Sequence, residues 1–80
     1  MEQQELKDVL LGLGFKDEEV RLEQAGNGKV GGVVVSEQFA GRSQEQRQEE
    51  LWRGLKERMK PEELLDIVAL MTMTPEEIAA

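Results

Sequence analysis

Eighty residues carry ten Lys and Arg against 17 Asp and Glu, a net charge of −7, with neither cysteine nor histidine. That composition excludes disulfides, thiolate metal sites and thiol redox chemistry, and it removes the usual imidazole ligand and near-neutral general base. The excess of acid argues against an obligate binder of phosphate backbones. One domain, residues 1–80, is expected, with a thin core, because so short a chain buries only about 60–65% of the surface it exposes when unfolded. Carboxylates are the strong metal ligands left, and they suit hard ions better than iron–sulfur clusters. No apolar run approaches the ~20 residues that span a bilayer. The acidic, polar residues 1–5 show no signal-peptide pattern. A cytoplasmic protein without a membrane role is the expectation.

In chain order, Leu6, Val9, Leu10 and Leu13 recur at i, i+3, i+4 and i+7, one stripe of a helix. Gly14 is placed to end it in the left-handed conformation, with Phe15 folding back on Leu10 as in a Schellman motif. Residues 19–23 alternate polar and apolar, the pattern of a half-buried strand. Asn27-Gly28 is a strong hairpin signal, because a type I′ turn needs positive φ at both central residues. The returning strand covers residues 30–35, and Gly31-Gly32 within it predict a bulge or a close backbone approach. A short turn or helix is expected around residues 37–39.

Ser43 and Gln46 form a capping box that opens the main helix, which runs to about Met59. Its second half carries the apolar stripe Leu51, Trp52, Leu55 and Met59. Its first half, residues 44–50, has no apolar residue and is expected to face water or a partner. Gly54 costs about 1 kcal/mol relative to alanine inside a helix and suggests close packing on the sheet. Pro61 stops the helix. Residues 64–73, interrupted only by Asp66, favour a third strand. Thr74, with Pro75 at the first helical position and Glu77 completing a second capping box, opens a final short helix. The order is αββααβα: an α+β domain with a three-stranded sheet and helices packed on one face.

Three pieces carry a family resemblance: Val34-Val35-Ser36, Phe39-Ala40-Gly41-Arg42-Ser43, and Thr72-Met73-Thr74-Pro75-Glu76-Glu77. With the element order, they make the chain similar to the BolA-like family over nearly its whole length. The resemblance implies a single domain related to the second type of KH domain. It also implies a monothiol glutaredoxin as protein partner, with a role in iron sensing or iron–sulfur trafficking. Members carry a histidine eight residues before the Thr of the terminal "T-P", and it helps ligate a [2Fe–2S] cluster shared with the glutaredoxin. The ungapped count back from Thr74 reaches Asp66. A second ligand, cysteine or histidine, usually comes from the hairpin loop, where Lys29 is the aligned residue here. Cluster iron takes thiolate, with imidazole as the established substitute, so Asp66 is a poor replacement and Lys29, a cation, is none. The plainer reading of Asp66 puts it at a strand end, exposed or paired with a Lys or Arg.

A second candidate is the segment leading into the main helix. Phe39, Gly41, Arg42 and Ser43, with Arg47 on the first turns, form a candidate partner or nucleic-acid face, since a helix N-terminus with a nearby cation can hold a phosphate. The plainer reading makes Phe39 a core plug and Gly41 a turn residue. Family members often show a basic patch on this exposed turn, of which Arg47 alone remains. Residues 36–60 hold six cations against five acids, so the alternative function is a KH-like nucleic-acid-binding transcriptional or stress regulator using this face. Gly28-Lys29-Val30-Gly31 matches the G-x-x-G of KH domains, but it lies in a hairpin rather than between helices. Trp52 sits on the apolar stripe and reads as core. The adjacent acid pairs point in different directions, and the serines lack a histidine, so no enzyme is expected. Either a monomer or a weak dimer fits. A third reading is a diverged member whose acidic surface serves an unrelated partner.

Overall fold

The computed structural model describes residues 1–80. It is an α+β fold in which α1 (Gln3–Gly12), β1 (Val20–Gln24), β2 (Val30–Val35), α2 (Gln44–Arg58), α3 (Pro61–Leu64), β3 (Ile67–Met73) and α4 (Pro75–Ala79) follow one another, with 3₁₀ turns at Asp17–Glu19, Gly26–Gly28 and Glu37–Phe39. The sheet order is β1-β2-β3; β1 and β2 pair antiparallel, β2 and β3 parallel. The crossover between the parallel strands is made by α2 and α3.

The stripe on α1 buries Leu6 and Leu10 completely. The helix ends as a full Schellman motif: Phe15 N donates to Leu10 O at 3.3 Å, Gly14 N donates to Leu11 O at 3.0 Å, and Gly14 takes φ 106°. Phe15 then stacks obliquely on Phe39, ring centroids 5.6 Å apart. Val20, Val30, Val34, Leu70 and Thr72 face the helices, and the register shift at the start of β3 turns Ile67 inwards and Val68 outwards. Val20, Val30, Val34 and Leu70 join Leu6, Leu10, Leu51, Leu55, Phe39, Met59 and Ile67 in one core. Each large side chain so buried contributes about 1.5–3 kcal/mol before entropy is counted.

The hairpin has the expected turn with one extra residue. Asn27 takes φ 62° and Gly28 φ 73°, and Lys29 N donates to Gly26 O at 3.3 Å, which is the type I′ arrangement. A strict two-residue loop would set Gly26 opposite Lys29. Instead Ala25 N donates to Lys29 O, and the ladder pairs Gln24 with Val30. The Gly31-Gly32 signal has two causes. The β2–β3 register shifts between Val30 and Gly31. At Gly32 a Cβ would lie 2.1 Å from Arg21 O, so only glycine lets β1 come this close.

Two expectations need correction. Gly54 does not meet the sheet: a Cβ there would lie 2.8 Å from Leu13 Cδ2, so the glycine lets α2 close on the end of α1. The third strand does not begin at residue 64; residues 61–64 form the single turn α3, with the Glu63 carboxylate accepting from Lys60 N at 2.8 Å, and β3 starts at Ile67. No helix is long and apolar enough to cross a membrane.

Candidate functional site

The fold brings the hairpin tip to the start of β3. Val30 N donates to Asp66 O at 2.8 Å, which places Asp66 one residue before the strand and directly beside the loop. There the Asp66 carboxylate meets two cations. The Met1 ammonium donates to Oδ2 at 3.1 Å and to Gly28 O at 2.9 Å. Lys29 Nζ lies 3.6 Å from Oδ1 and donates to Leu65 O at 3.1 Å. The hydrogen bond from the Met1 ammonium lowers the Asp66 pKa, and the charges of that ammonium and of Lys29 add to it against the opposing effect of desolvation. Beside this cluster Leu65 is 75% exposed, the most exposed large hydrophobic side chain of the chain.

The two positions singled out by resemblance, Lys29 and Asp66, are therefore neighbours in space. Their chemistry does not fit an iron–sulfur cluster. The corner offers one carboxylate already bonded to an ammonium, a second ammonium, and neither thiolate nor imidazole.

At the other end of β3 the candidate face of Phe39, Gly41, Arg42, Ser43 and Arg47 is a structural joint. Arg47 is not on an exposed turn: it is 5% exposed. Its Nε donates to Arg42 O at 2.9 Å, Nη1 to Glu77 Oε1 at 2.8 Å and Nη2 to Glu77 Oε2 at 3.1 Å, a two-pronged bond to one carboxylate. Its guanidinium carbon lies 5.9 Å from the centroid of the Phe39 ring. Phe39 is a core residue, and Gly41 takes φ 75° in the turn before the helix. Ser43 caps α2, Oγ accepting from Gln46 N at 3.1 Å while Gln46 Oε1 accepts from Ser43 N at 3.0 Å. Arg42 pairs with Glu50. The helix entry thus has no cation left unpaired.

Sequence reasoning missed why residues 44–50 are polar. Gln44 and Gln48 do not simply face water; they reach the free edge of the sheet. Gln44 Nε2 donates to Thr72 O at 3.0 Å, and Thr72 Oγ1 donates back to Gln44 Oε1 at 2.7 Å. Gln48 Nε2 donates to Leu70 O at 2.8 Å, and Trp52 Nε1 donates to Gln48 Oε1 at 3.1 Å. Side-chain amides here replace a neighbouring strand for two edge carbonyls. Glu77 has a double role: its backbone N donates to Thr74 Oγ1, Thr74 N donates to its Oε1, and its carboxylate holds Arg47. The Arg47 hydrogen bonds, followed by the backbone donor of Thr74, lower its pKa to about 2. A spacing signal existed: the apolar stripe Leu55, Trp52, Leu51 continues backwards through Gln48, Arg47 and Gln44 at the same helical intervals.

Compared with known proteins, the chain matches no protein-family model, no curated protein and no solved structure.

Proposed function

We propose that this chain is a non-enzymatic, BolA-like protein-binding module of the cytoplasm, and that its partner is a monothiol glutaredoxin in iron sensing or iron–sulfur trafficking. The observation that supports this reading most is the corner at the start of β3. Residues 37 positions apart in the sequence, Lys29 and Asp66, meet there at 3.6 Å. They are the two positions at which the resembled family supplies ligands. In this chain the corner is an ion pair beside the exposed Leu65, a combination that suits docking of a protein surface: an apolar anchor with exchangeable charges at its rim. The partnership proposed is one without a shared cluster, because the donor set does not suit iron.

The geometry lends the nucleic-acid alternative less support at the entry to α2. Of its two cations, Arg47 is buried and bonded to Glu77, and Arg42 pairs with Glu50. Nucleic-acid affinity is expected to be weak at ~0.15 M salt, far from the ~10⁻⁸ M of specific binders. A steep salt dependence of any duplex binding would restore that reading.

The test is anaerobic reconstitution of the chain with a monothiol glutaredoxin, followed by visible absorption and circular dichroism. A complex without the bands of a shared cluster is expected. Asp66→His should then raise cluster retention in part, and adding Lys29→His should raise it further. A stable shared cluster on the unmodified chain, lost in Asp66→Ala, would show that the carboxylate ligates iron. If no glutaredoxin binds either form, the family-based function falls.

A further inference from the structure

The helices cover one face of the sheet only. On the other face the row Val35 and Met73 is covered at Val35, and two further rows of odd-numbered residues stand open across the strands. Arg21, Val33 and Met71 are Cα partners in one row; Glu23, Gly31 and Ala69 are partners in the next. Met71 is 59% exposed and Arg21, Glu23 and Ala69 are also exposed. Val68, the residue at the register shift, is 64% exposed and edges the hollow over Gly31, its Cγ2 3.7 Å from where a Cβ on that glycine would sit. Neither Arg21 nor Glu23 takes part in any of the chain's five ion pairs.

We propose that this open face binds a second copy of the chain, sheet on sheet, about a two-fold axis that lies in the plane of contact and crosses the strands at the level of Leu22, Gly32 and Leu70. Those three residues are themselves register partners. Such an axis sets each strand antiparallel over its own copy and lays the first row of one chain over the second row of the other. Arg21 then meets Glu23 of the second copy, Val33 drops into the hollow at Gly31, and Met71 covers Ala69. Charge opposes charge once and large opposes small twice across the face, and again by symmetry. A two-fold contact demands self-complementarity of this kind. The other in-plane axis, along the strands, would lay the charged β1 over the apolar β3 and leave both charges unpaired. The face is three short strands wide, below the roughly 800 Å² per partner of a standard interface, so the dimer is weak. This inference is independent of the glutaredoxin reading, which concerns the corner at Asp66.

Sedimentation of the chain over a concentration series to ~1 mM tests the proposal. The wild-type chain should dimerise in that range. Arg21→Glu and Glu23→Arg should each weaken dimerisation roughly tenfold or more, because each turns two attractive pairs into two repulsive ones. Both positions are exposed, so far-ultraviolet circular dichroism should be unchanged. The double variant R21E/E23R should recover the dimer, and an equimolar mixture of the two single variants should form a heterodimer. Absence of self-association by the wild-type chain at ~1 mM overturns the proposal. So do single variants that dimerise as the wild type does, or a double variant that fails to recover.

Discussion

The two ends of β3 each hold a carboxylate against cations, but they are built differently. At its far end Glu77, on α4, grips Arg47, a buried side chain on the longest helix, seated over the Phe39 ring and bonded to two backbone carbonyls. At its start Asp66 meets the Met1 ammonium and Lys29, groups from the chain terminus and a hairpin tip, with Lys29 nearly half exposed. The first ties α2 to α4 by a two-pronged bond, with the Arg47 side buried and the Glu77 side reached by water. The second is wet on one side and rests on the parts of a fold that move most readily. An ion pair in a joint of packed elements fixes architecture; one at an exposed corner can exchange its partners for those of another molecule.

The comparison breaks first if Arg47 proves dispensable. Arg47→Met keeps the length of the side chain but strands the Arg42 carbonyl and leaves Glu77 without its guanidinium, while Thr72 O keeps its bond from Gln44. It should cost about 3 kcal/mol, the low end for disrupting a buried charged network, because water can reach the Glu77 side. Urea denaturation measures it, and a loss no greater than that of a typical surface substitution would return Arg47 to the exposed face. Next in size, Gly28→Val puts a β-branched residue at φ 73°, where strain of about 1–2 kcal/mol follows. An unchanged melting temperature would contradict the I′ turn.

Acid titration sharpens the contrast further. The Glu77 carboxyl is depressed from 4.5 to about 2, so the folded state binds that proton less readily than the unfolded one. The resulting stability is complete above pH 4.5 and is lost as pH falls towards 2. Glu77→Gln should flatten the stability profile across that window and leave its shape near neutrality unaltered. The Asp66 carboxyl is also depressed, so its contribution likewise fades in acid. Asp66→Asn should nevertheless lower stability at neutral pH less than Arg47→Met does, since the Met1 ammonium keeps its bond to Gly28 O and an amide oxygen can still accept from it. Smallest of all, Leu65→Asp should leave the melting temperature unchanged, because the side chain it replaces already stands in water.

What was legible in the sequence was local. The Schellman end at Gly14, the cap at Ser43, the cap at Thr74 and the positive-φ pair Asn27-Gly28 are each decided by residues within five positions of one another. The order of strands and helices follows from those signals. The fate of Arg47 was not legible, because its partner lies 30 residues later in sequence. Polarity alone was also incomplete. Residues 44–46, 49 and 50 are exposed as expected, but a sheet edge without a neighbouring strand needs donors for its carbonyls, and the amides of Gln44 and Gln48 supply them. The hairpin gained a residue relative to the tightest loop because Lys29 O accepts from Ala25 N rather than from Gly26 N, which leaves Gly26 in the turn without a strand partner, a choice that turn propensities do not fix. The corner at Asp66 was found through the resemblance, while its filling by the Met1 ammonium depends on where the chain's end is carried in space.

The central claim is that the corner at the start of β3, and not the entry to α2, receives the protein partner. Calorimetric titration of a monothiol glutaredoxin into the wild-type chain, Leu65→Asp and Arg42→Glu tests it directly. Binding by the wild type and by Arg42→Glu, with a loss of roughly tenfold or more in Leu65→Asp, is the expected result. Binding lost in Arg42→Glu and intact in Leu65→Asp would contradict the account.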